Sequence, residues 1–455
     1  MTDDAKLAAN PAECPHFFQK VDWASFGVTA LLALAVYWFT LSPDVGLEHS
    51  GHFSTAAMYM GVPMPPGYPV WTIYGWLFIK LLPFSNIAWR LAVASAMAGA
   101  LACGLIALMV SRVGVLAAEN VSSFKNLLPN EVKSLRVVCG CVAGLAFGFD
   151  GCFWCKAVIP DPWPLGLLLF SLTLCFLTRW FFAPLQRRCL YAAALAYGLT
   201  LGSSMSLVTA AFGLPFLLAL GDRRLGREVF FGIGVFLWGI LATNGYLHWY
   251  DTYYSSTRHI FLFTCAVVTF MWIVLSVRTR RFLSEWKTTC LCGILFLAGI
   301  SAYLLLPIFS MTTPPMNWGY PRTVEGFFHV ITRGQYEIMQ PTESFGQLIK
   351  QFGVYGKIAA DELSFIYLVA AAVPFCLLHK ISSPPRRWLI GLLVTWFFVS
   401  LLTLVGLNPG PDKASVDLIK SYFAASHLML AILAGCGLIL VVTFFARPTP
   451  AKSQT

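Results

Sequence analysis

The sequence that decides the fold is ASFGVTALLALAVYWFTLS at residues 24–42, followed directly by PDVGLEHSGHFSTAAMYMGVPMPP at residues 43–66. The first piece is almost purely apolar and close to the roughly 20 residues that a helix needs to cross a bilayer. The second piece carries four ionisable side chains within nine positions and no lysine or arginine. They are Asp44, Glu48, His49 and His52. Because ionisable groups cost free energy near a bilayer, this cluster indicates a functional site, the alternative being a hydrated loop that needs polar residues.

The composition indicates a membrane protein. The chain has 455 residues, of which 58% are hydrophobic and only 11% are charged, and its mean hydropathy is +0.70. A soluble protein carries about 25% charged residues. We therefore predict an all-α, polytopic membrane protein. The net charge of +10 indicates basic cytoplasmic loops that face anionic lipid rather than a nucleic-acid partner.

Apolar runs long enough to span a bilayer recur along the chain and predict about 12 transmembrane helices. They lie near residues 24–42, 88–111, 136–158, 162–179, 189–204, 205–221, 228–249, 258–277, 288–308, 362–379, 388–407 and 423–446. Asp150, Lys156 and Asp161 lie at the outer ends of the third and fourth runs, and the runs contain very few charges at mid-depth. This placement weakens the prediction of an ion-coupled transporter, which needs charges at mid-depth.

Residues 67–84 are ambiguous, because Pro69 and Pro83 lie near the ends of the segment and Lys80 lies inside it. Lysine and arginine concentrate in cytoplasmic loops. If residues 67–84 stay on the outer surface as a juxtamembrane helix, the inner segments hold 21 of the 31 lysines and arginines; if they cross, the inner segments hold 12 of 31. We predict the first arrangement, a multi-pass cell-membrane protein with both termini cytoplasmic and residues 43–87 outside.

The predicted organisation divides the chain into five parts. In order they are a cytoplasmic tail (1–23), an N-terminal transmembrane module (24–308) that includes the outer loop 43–87, an outer loop with juxtamembrane helices (309–361), C-terminal transmembrane helices (362–446) and a cytoplasmic tail (447–455).

The loop 309–361 is rich in aromatic residues and too long to be a simple connection, which indicates a functional loop. Its Arg322 and Arg333 are outward-facing cations of the kind that pair with phosphate. Local pairing with Glu325 and Glu337 is an equally good interpretation, because the spacing of three and four residues would allow it in a helix.

Two other patterns have mainly structural interpretations. Cys152 and Cys155 have the spacing of a redox pair or half a zinc site, but no second Cys or His pair lies nearby in sequence. Buried free cysteine behaves as a small hydrophobe. Asp161, in the stretch PDPWP, is well placed to cap the helix that follows.

Several motifs resemble the protein O-mannosyltransferase-like membrane family, long filed as a domain of unknown function, of the C-type-fold glycosyltransferase superfamily. They are EHSGHF (48–53), GVPMPPGYP (61–69), NIAWR (86–90), AVIPD (157–161), NWGYPR (317–322), TRGQYE (332–337) and AASH (424–427). The resemblance implies a glycosyltransferase C-type fold with an outward-facing active site. It also implies a polyprenyl-phosphate sugar as donor and a carboxylate in the first outer loop as general base.

The sequence departs from the family pattern in that loop. The family usually carries Asp where this chain has His49, Glu where it has His52, and His where it has Met64. Glu48 is a candidate base shifted by one residue, and His49 is another, because ordinary imidazole titrates near neutrality. If residues 47–53 form a helix, Glu48 and His52 share one face while His49 points elsewhere.

The functional prediction is transfer of a sugar from polyprenyl phosphate to an exported protein or glycan. The alternatives are a transporter or flippase of lipid-linked glycan, and a catalytically inactive relative that acts as a partner subunit. Membrane lipids, the donor and the acceptor are the expected partners, and no nucleic acid is expected. No cofactor or metal ligand is predicted, although a divalent metal is left open. The predicted catalytic residues are Glu48, His49, His52 and Asp161, and the predicted substrate-binding residues are Asp44, Tyr320, Arg322, Arg333, Gln335 and Tyr336.

The charge bias makes the topology testable. A reporter fused after Arg281 should behave as cytoplasmic, and one fused after Pro341 as external, since these positions lie on opposite sides of the predicted membrane. The reverse labelling of the two fusions would refute the arrangement.

Overall fold

The computed structural model describes residues 17–47, 49–247, 255–280, 283–334, 341–342, 344–410 and 412–446. The described part is built of α-helices and short 3-10 turns, and its only β-type pairing is one bridge between Val62 and Asn317. The predicted all-α, polytopic architecture is confirmed. The helices are α1 (Lys20–Thr40), α2 (Ser50–Tyr59), α3 (Pro69–Leu81), α4 (Ile87–Ala118), α5 (Pro129–Gly148), α6 (Gly151–Ala157), α7 (Trp163–Phe182), α8 (Arg187–Ser203), α9 (Leu214–Gly221), α10 (Arg223–Leu247), α11 (Ser255–Thr279), α12 (Trp286–Ile300), α13 (Leu305–Met311), α14 (Val324–Ile331), α15 (Phe345–Leu363), α16 (Phe365–Cys376), α17 (Pro385–Leu407), α18 (Lys413–Ile419) and α19 (Ala424–Phe444).

The number of helices that can cross a membrane is smaller than the sequence predicts. Among the described residues, 8 helices are long and apolar enough, or up to 10 if each of two bent pairs forms one span. The predicted spans 189–204 and 205–221 account for the difference between 12 and 10. The first is a helix of 17 residues, and the second is a 3-10 turn followed by α9, which has Pro215 in its first turn. Proline lacks an N–H and interrupts the helical ladder. The count of 12 therefore stays a prediction.

Two pairs of consecutive helices meet at sharp angles. The predicted span 136–158 is divided into α5 and α6, which meet at an angle of 76°. Helices α15 and α16 meet at 109°, and the joint, Ser364, has a left-handed φ of 69°. The bend before α6 matters most for function, because it turns a short helix across the end of the bundle.

The core surrounds α4, whose middle is rich in alanine and glycine and is almost entirely buried. It packs against α1, α5, α7 and α19. Small side chains let membrane helices approach closely, so that van der Waals contact holds them together without a hydrophobic driving force.

Buried ion pairs close one end of the bundle. Arg136 lies 2.6 Å from Asp22, and Arg227 lies 2.5 Å from Glu228. At the other end α1 stops and α4 and α7 begin, and there Ser42 N donates to Val158 O at 2.9 Å. We call this second end the site end. The arginine-rich end is the one that the charge bias predicts to be cytoplasmic, and that sidedness stays a prediction.

Helix α3 settles the shape of the ambiguous segment 67–84. It has 13 residues and is therefore roughly 20 Å long, too short for a hydrocarbon core of about 30 Å. Leu77 and Leu81 on its surface are exposed. This geometry agrees with the prediction of a juxtamembrane helix.

Candidate functional site

Two distant loops are joined by backbone hydrogen bonds at the site end. Val62 N donates to Met316 O at 2.9 Å, and Trp318 N donates to Val62 O at 3.0 Å. The approach is close beside Gly61, where an added Cβ would lie 2.2 Å from Met316 O. The motif after α2 and the motif NWGYPR are thus held side by side, as expected if both serve one site.

The two histidines that replace the family carboxylates lie together. Helix α2 begins at Ser50, and His49 before it is in the left-handed region with φ 63°. The rings of His49 and His52 stack with centroids 5.4 Å apart, and the His52 ring lies 6.1 Å from that of Trp318. The sharing of one face by Glu48 and His52 was conditional on a helix over residues 47–53, and that condition is not met, because the left-handed backbone at His49 makes the helix begin at Ser50. Glu48 lies outside the described residues.

Tyr68, at the start of α3, is the centre of a second group. Burial raises the pKa of its phenol, the nearby Tyr422 phenol adds to the rise and the Arg333 cation opposes it. The Asp161 carboxylate and the Tyr303 phenol raise the pKa further. The phenol therefore stays protonated, as a hydrogen-bond donor, and it lies within electrostatic reach of a carboxylate and a cation. We call these five residues the Tyr68 group.

Asp161 has the capping role that its sequence context predicts, together with an ion pair. Its Oδ1 accepts a hydrogen bond from Trp163 N at 2.8 Å, at the start of α7. Its Oδ2 lies 3.7 Å from Lys156 Nζ at the end of α6, and both side chains are largely buried. The backbone of Asp161 is also tied to Ser95 on α4. The carboxylate is thus held in place by three helices.

The fold brings together two residues that the predicted site did not include. Asp150 Oδ2 lies 2.5 Å from His427 Nδ1, and both side chains are fully buried. The signal in the sequence was the late motif AASH, which ends at His427. Its partner could not be found from the sequence, because Asp150 lies 277 residues away.

Beside this pair lie Cys152 and Glu362. Cys152 Sγ donates to Glu362 Oε1 at 3.0 Å, and Lys420 Nζ lies 3.9 Å from the same oxygen. Asp150, Cys152 and Glu362 place their ligand atoms within 4.8 Å of one another, a grouping that could hold a metal ion. Because Glu362 already has a lysine beside it and Asp150 a histidine, the chain itself supplies partners for both carboxylates. The single CFWC motif did not predict this grouping, which brings carboxylates from outside the motif to Cys152.

The remaining predicted residues lie on the surface or outside the described part. Arg322 lies over the ring of Tyr320 at 5.8 Å, and both are exposed, as is Arg333. Asp44 is exposed and accepts a hydrogen bond from Val45 N at 2.7 Å. Gln335 and Tyr336 lie outside the described residues. The structure thus brings Arg333 and Asp161 near Tyr68, and His49 and His52 near Trp318.

An apolar groove of about 470 Å³ runs along α3, the helix that begins directly after Tyr68. Helices α3, α8 and α12, together with the turn that leads into α13, form its walls. Val70, two residues after Tyr68, is one of its lining residues, and Ser301 is among the few polar ones. The other lining side chains include Ile73, Leu77, Leu199, Ala302 and Leu305. Exposed Leu304 and Ile308 next to the groove show an apolar surface suited to lipid.

Comparison with known proteins agrees with the motifs. A family model described as the Protein O-mannosyl-transferase TMEM260 N-terminal domain matches residues 49–224. The chain is also 24% identical over 421 residues to the mouse protein named Protein O-mannosyl-transferase TMEM260. The predicted resemblance is confirmed. The matched segment includes five residues of the candidate site: His49, His52, Tyr68, Asp150 and Asp161.

The extent of these matches is limited. The mouse alignment covers 90% of this chain but 48% of the mouse protein, so the chain spans about half the length of that relative. A Dictyostelium discoideum protein, Protein O-mannosyl-transferase tmem260, is 28% identical over 110 residues, which are 24% of this chain and 13% of that protein. No solved structure matches.

The close approach at Gly61 gives a test of the paired loops. Gly61→Ala should separate them, because the new methyl group would meet Met316 O at 2.2 Å. Hydrogen exchange at the Trp318 amide should then speed up by about fivefold or more, the loss of roughly 1 kcal/mol of hydrogen bonding. Gly232→Ala is the matched control, since an added Cβ there meets nothing within 4 Å. Equal exchange in both variants would contradict the tight pairing.

Proposed function

We propose that the chain is a membrane glycosyltransferase that moves a sugar from a polyprenyl-phosphate donor to an exported protein, or to a glycan, on the outer face. The observation that carries this proposal is the apolar groove along α3, together with the Tyr68 group at the start of that helix. A donor with a long apolar chain and an anionic head requires both features side by side. The names of the curated relatives support transfer to protein.

In this proposal the isoprenoid chain lies along α3 in the groove, and its phosphate meets Arg333 and the protonated Tyr68. An apolar pocket with a few convergent polar groups is the usual form of a small-molecule site. Arginine and a phenol donor would stabilise the phosphate as negative charge develops on the leaving group. Arg322, held over Tyr320 in the same loop, is the second cation proposed for the donor, with Gln335 and Tyr336 from the neighbouring motif.

An inverting transfer also needs a general base that takes the acceptor proton opposite the leaving group. Glu48 is the proposed base, with His49 as the alternative, and Asp44 is proposed to help bind substrate in the same loop. The His52 ring, which stacks on His49 and lies beside Trp318, is proposed to orient Glu48 and His49. Asp161 already accepts a hydrogen bond at the start of α7 and is paired with Lys156. It is therefore proposed to act as a fixed negative charge rather than as the proton acceptor.

The rival functions place polar groups elsewhere. A transporter of lipid-linked glycan needs polar groups along a path through the bilayer. The carboxylates and cations of the proposed donor site lie instead at the site end. An inactive partner subunit keeps the binding residues without the base. Because His49 and His52 stand where the family pattern has carboxylates, only a measurement of turnover can distinguish this rival from the enzyme.

The test is turnover of a panel of polyprenyl-phosphate sugars by the purified chain with an acceptor peptide, alongside donor binding. Arg333→Ala and Arg322→Ala should each weaken donor binding about tenfold or more, because a charge-assisted contact is worth roughly 1.5–3 kcal/mol. Lys350→Ala, an exposed cation on α15 of the same loop, should leave donor binding unchanged. Donor binding without turnover of any donor would favour the inactive subunit, and transport of the donor across vesicles would favour the flippase.

The base is tested separately. Glu48→Gln preserves shape and removes the carboxylate, so it should lower turnover by about 10²–10⁴ while donor binding stays nearly intact. His49→Ala should reduce turnover less. Full activity of Glu48→Gln together with loss of activity in His49→Ala would identify His49 as the base instead.

A further inference from the structure

Helix α6 is short, and its position depends on contacts with other elements. It has seven residues and turns 76° away from α5. An isolated helix of this length is not stable in itself, because nucleation is unfavourable and few hydrogen bonds follow. What fixes α6 must therefore come from the side chains around it.

Asp150 holds the beginning of α6 in two ways at once. Its Oδ1 accepts hydrogen bonds from Cys152 N at 2.9 Å and from Phe153 N at 3.2 Å, which caps the helix. Its Oδ2 is paired at 2.5 Å with His427 Nδ1 on α19. The first interaction makes the helix start there, and the second fixes where that start lies relative to α19.

The partner on α19 lies in a rigid environment. The ring of His427 lies against that of Tyr355, with centroids 6.4 Å apart. The Tyr355 hydroxyl is itself bound to Ser426 Oγ at 2.5 Å and accepts from Trp396 Nε1 at 3.0 Å. His427 is therefore anchored in the packed core of the C-terminal helices.

The other end of α6 reaches the candidate site. Lys156 is one helical turn beyond Cys152, and its ammonium lies 3.7 Å from Asp161. Burial is the main cause that raises the pKa of the Tyr68 phenol, and the Asp161 carboxylate contributes to the rise. A displacement of the start of α6 would carry Lys156 with it and change the charge that faces Asp161.

We propose that the hydrogen bond between His427 and Asp150 is a latch that positions α6, and through it Lys156 and Asp161, for the transfer reaction. His427 is thus a positioning residue that touches neither donor nor acceptor. The catalytic part of this inference rests on the proposed function, whereas the structural part concerns α6 alone. A shift of about 1 Å at a reacting centre can cost about a hundredfold in rate.

Variants on both sides of the latch can separate it from capping and packing. Asp150→Ser keeps an N-cap side chain, since serine caps about as well as aspartate, but it is too short to reach His427. His427→Phe fills the buried space and removes the donor. His427→Asn places an amide N–H near the position of Nδ1 and should keep the bond. Ser426→Ala is the matched control, because it removes one hydrogen bond of Tyr355 but leaves the bond from Trp396 and both groups of the latch in place.

Hydrogen exchange of residues 151–157, measured in the whole 455-residue chain, reports on the latch directly. Asp150→Ser and His427→Phe should exchange about tenfold faster or more there, while His427→Asn and Ser426→Ala should stay close to the unchanged protein. Unchanged exchange in Asp150→Ser and His427→Phe would overturn the latch. So would an equal effect of His427→Asn and His427→Phe.

Kinetics then test the positioning role. With an active donor, Asp150→Ser and His427→Phe should lower kcat about tenfold or more with donor KM changed less than about twofold, and His427→Asn should restore kcat. A rise in KM at constant kcat would overturn positioning. If the unchanged protein turns over no donor, the proposed function fails, and the exchange measurement still decides the latch.

Discussion

The pairing of Val62 with Met316 and Trp318 is the constraint on which the candidate site depends. It brings together two loops separated by some 250 residues, and it does so with backbone groups that have no intrahelical partners. A buried backbone N–H without a partner costs free energy comparable to a lost hydrogen bond, so each loop needs the other. Gly61 permits the approach, because a side chain at this position would occupy the space of the Met316 carbonyl. The stacked His49 and His52 beside Trp318 follow from this arrangement.

The rest of the site depends on where helices stop. Helices α5 and α8 end at the site end and α7 and α19 begin there, so the polar groups of helix termini gather in one layer. At two of these termini, Asp150 and Asp161 accept hydrogen bonds from N–H groups that have no acceptor within their helix. The same carboxylates also engage His427 and Lys156. The same two carboxylates therefore cap helices with one oxygen and pair with a side chain through the other, so the residues of the candidate site also stabilise the fold.

The sequence could predict what depends on local pattern and not what depends on distant contacts. Long apolar runs predicted the membrane helices, and the short, proline-bounded run 67–84 predicted α3. The span count was less certain, because a run such as 205–221 is apolar throughout yet is interrupted by Pro215. The start of α2 at Ser50 could not be read from the sequence, because the left-handed backbone at His49 that precedes it leaves no periodic pattern. The pair of Asp150 and His427 required the packing of α19 against the N-terminal helices, which no local pattern contains.

Both parts of the chain contribute charged groups to the site. The carboxylates of Asp150 and Asp161 lie within the segment that matches the O-mannosyl-transferase domain. Arg333, Lys420 and His427 all lie beyond it. Opposite charges a few ångströms apart in a poorly solvated layer attract far more strongly than in water, and an unpaired buried carboxylate is correspondingly costly. The matched segment contains Lys156, the partner of Asp161, but it would leave the buried Asp150 without His427. The site is complete only when the C-terminal helices close over it, so the balance of charge that would serve a phosphate donor also holds the two halves together.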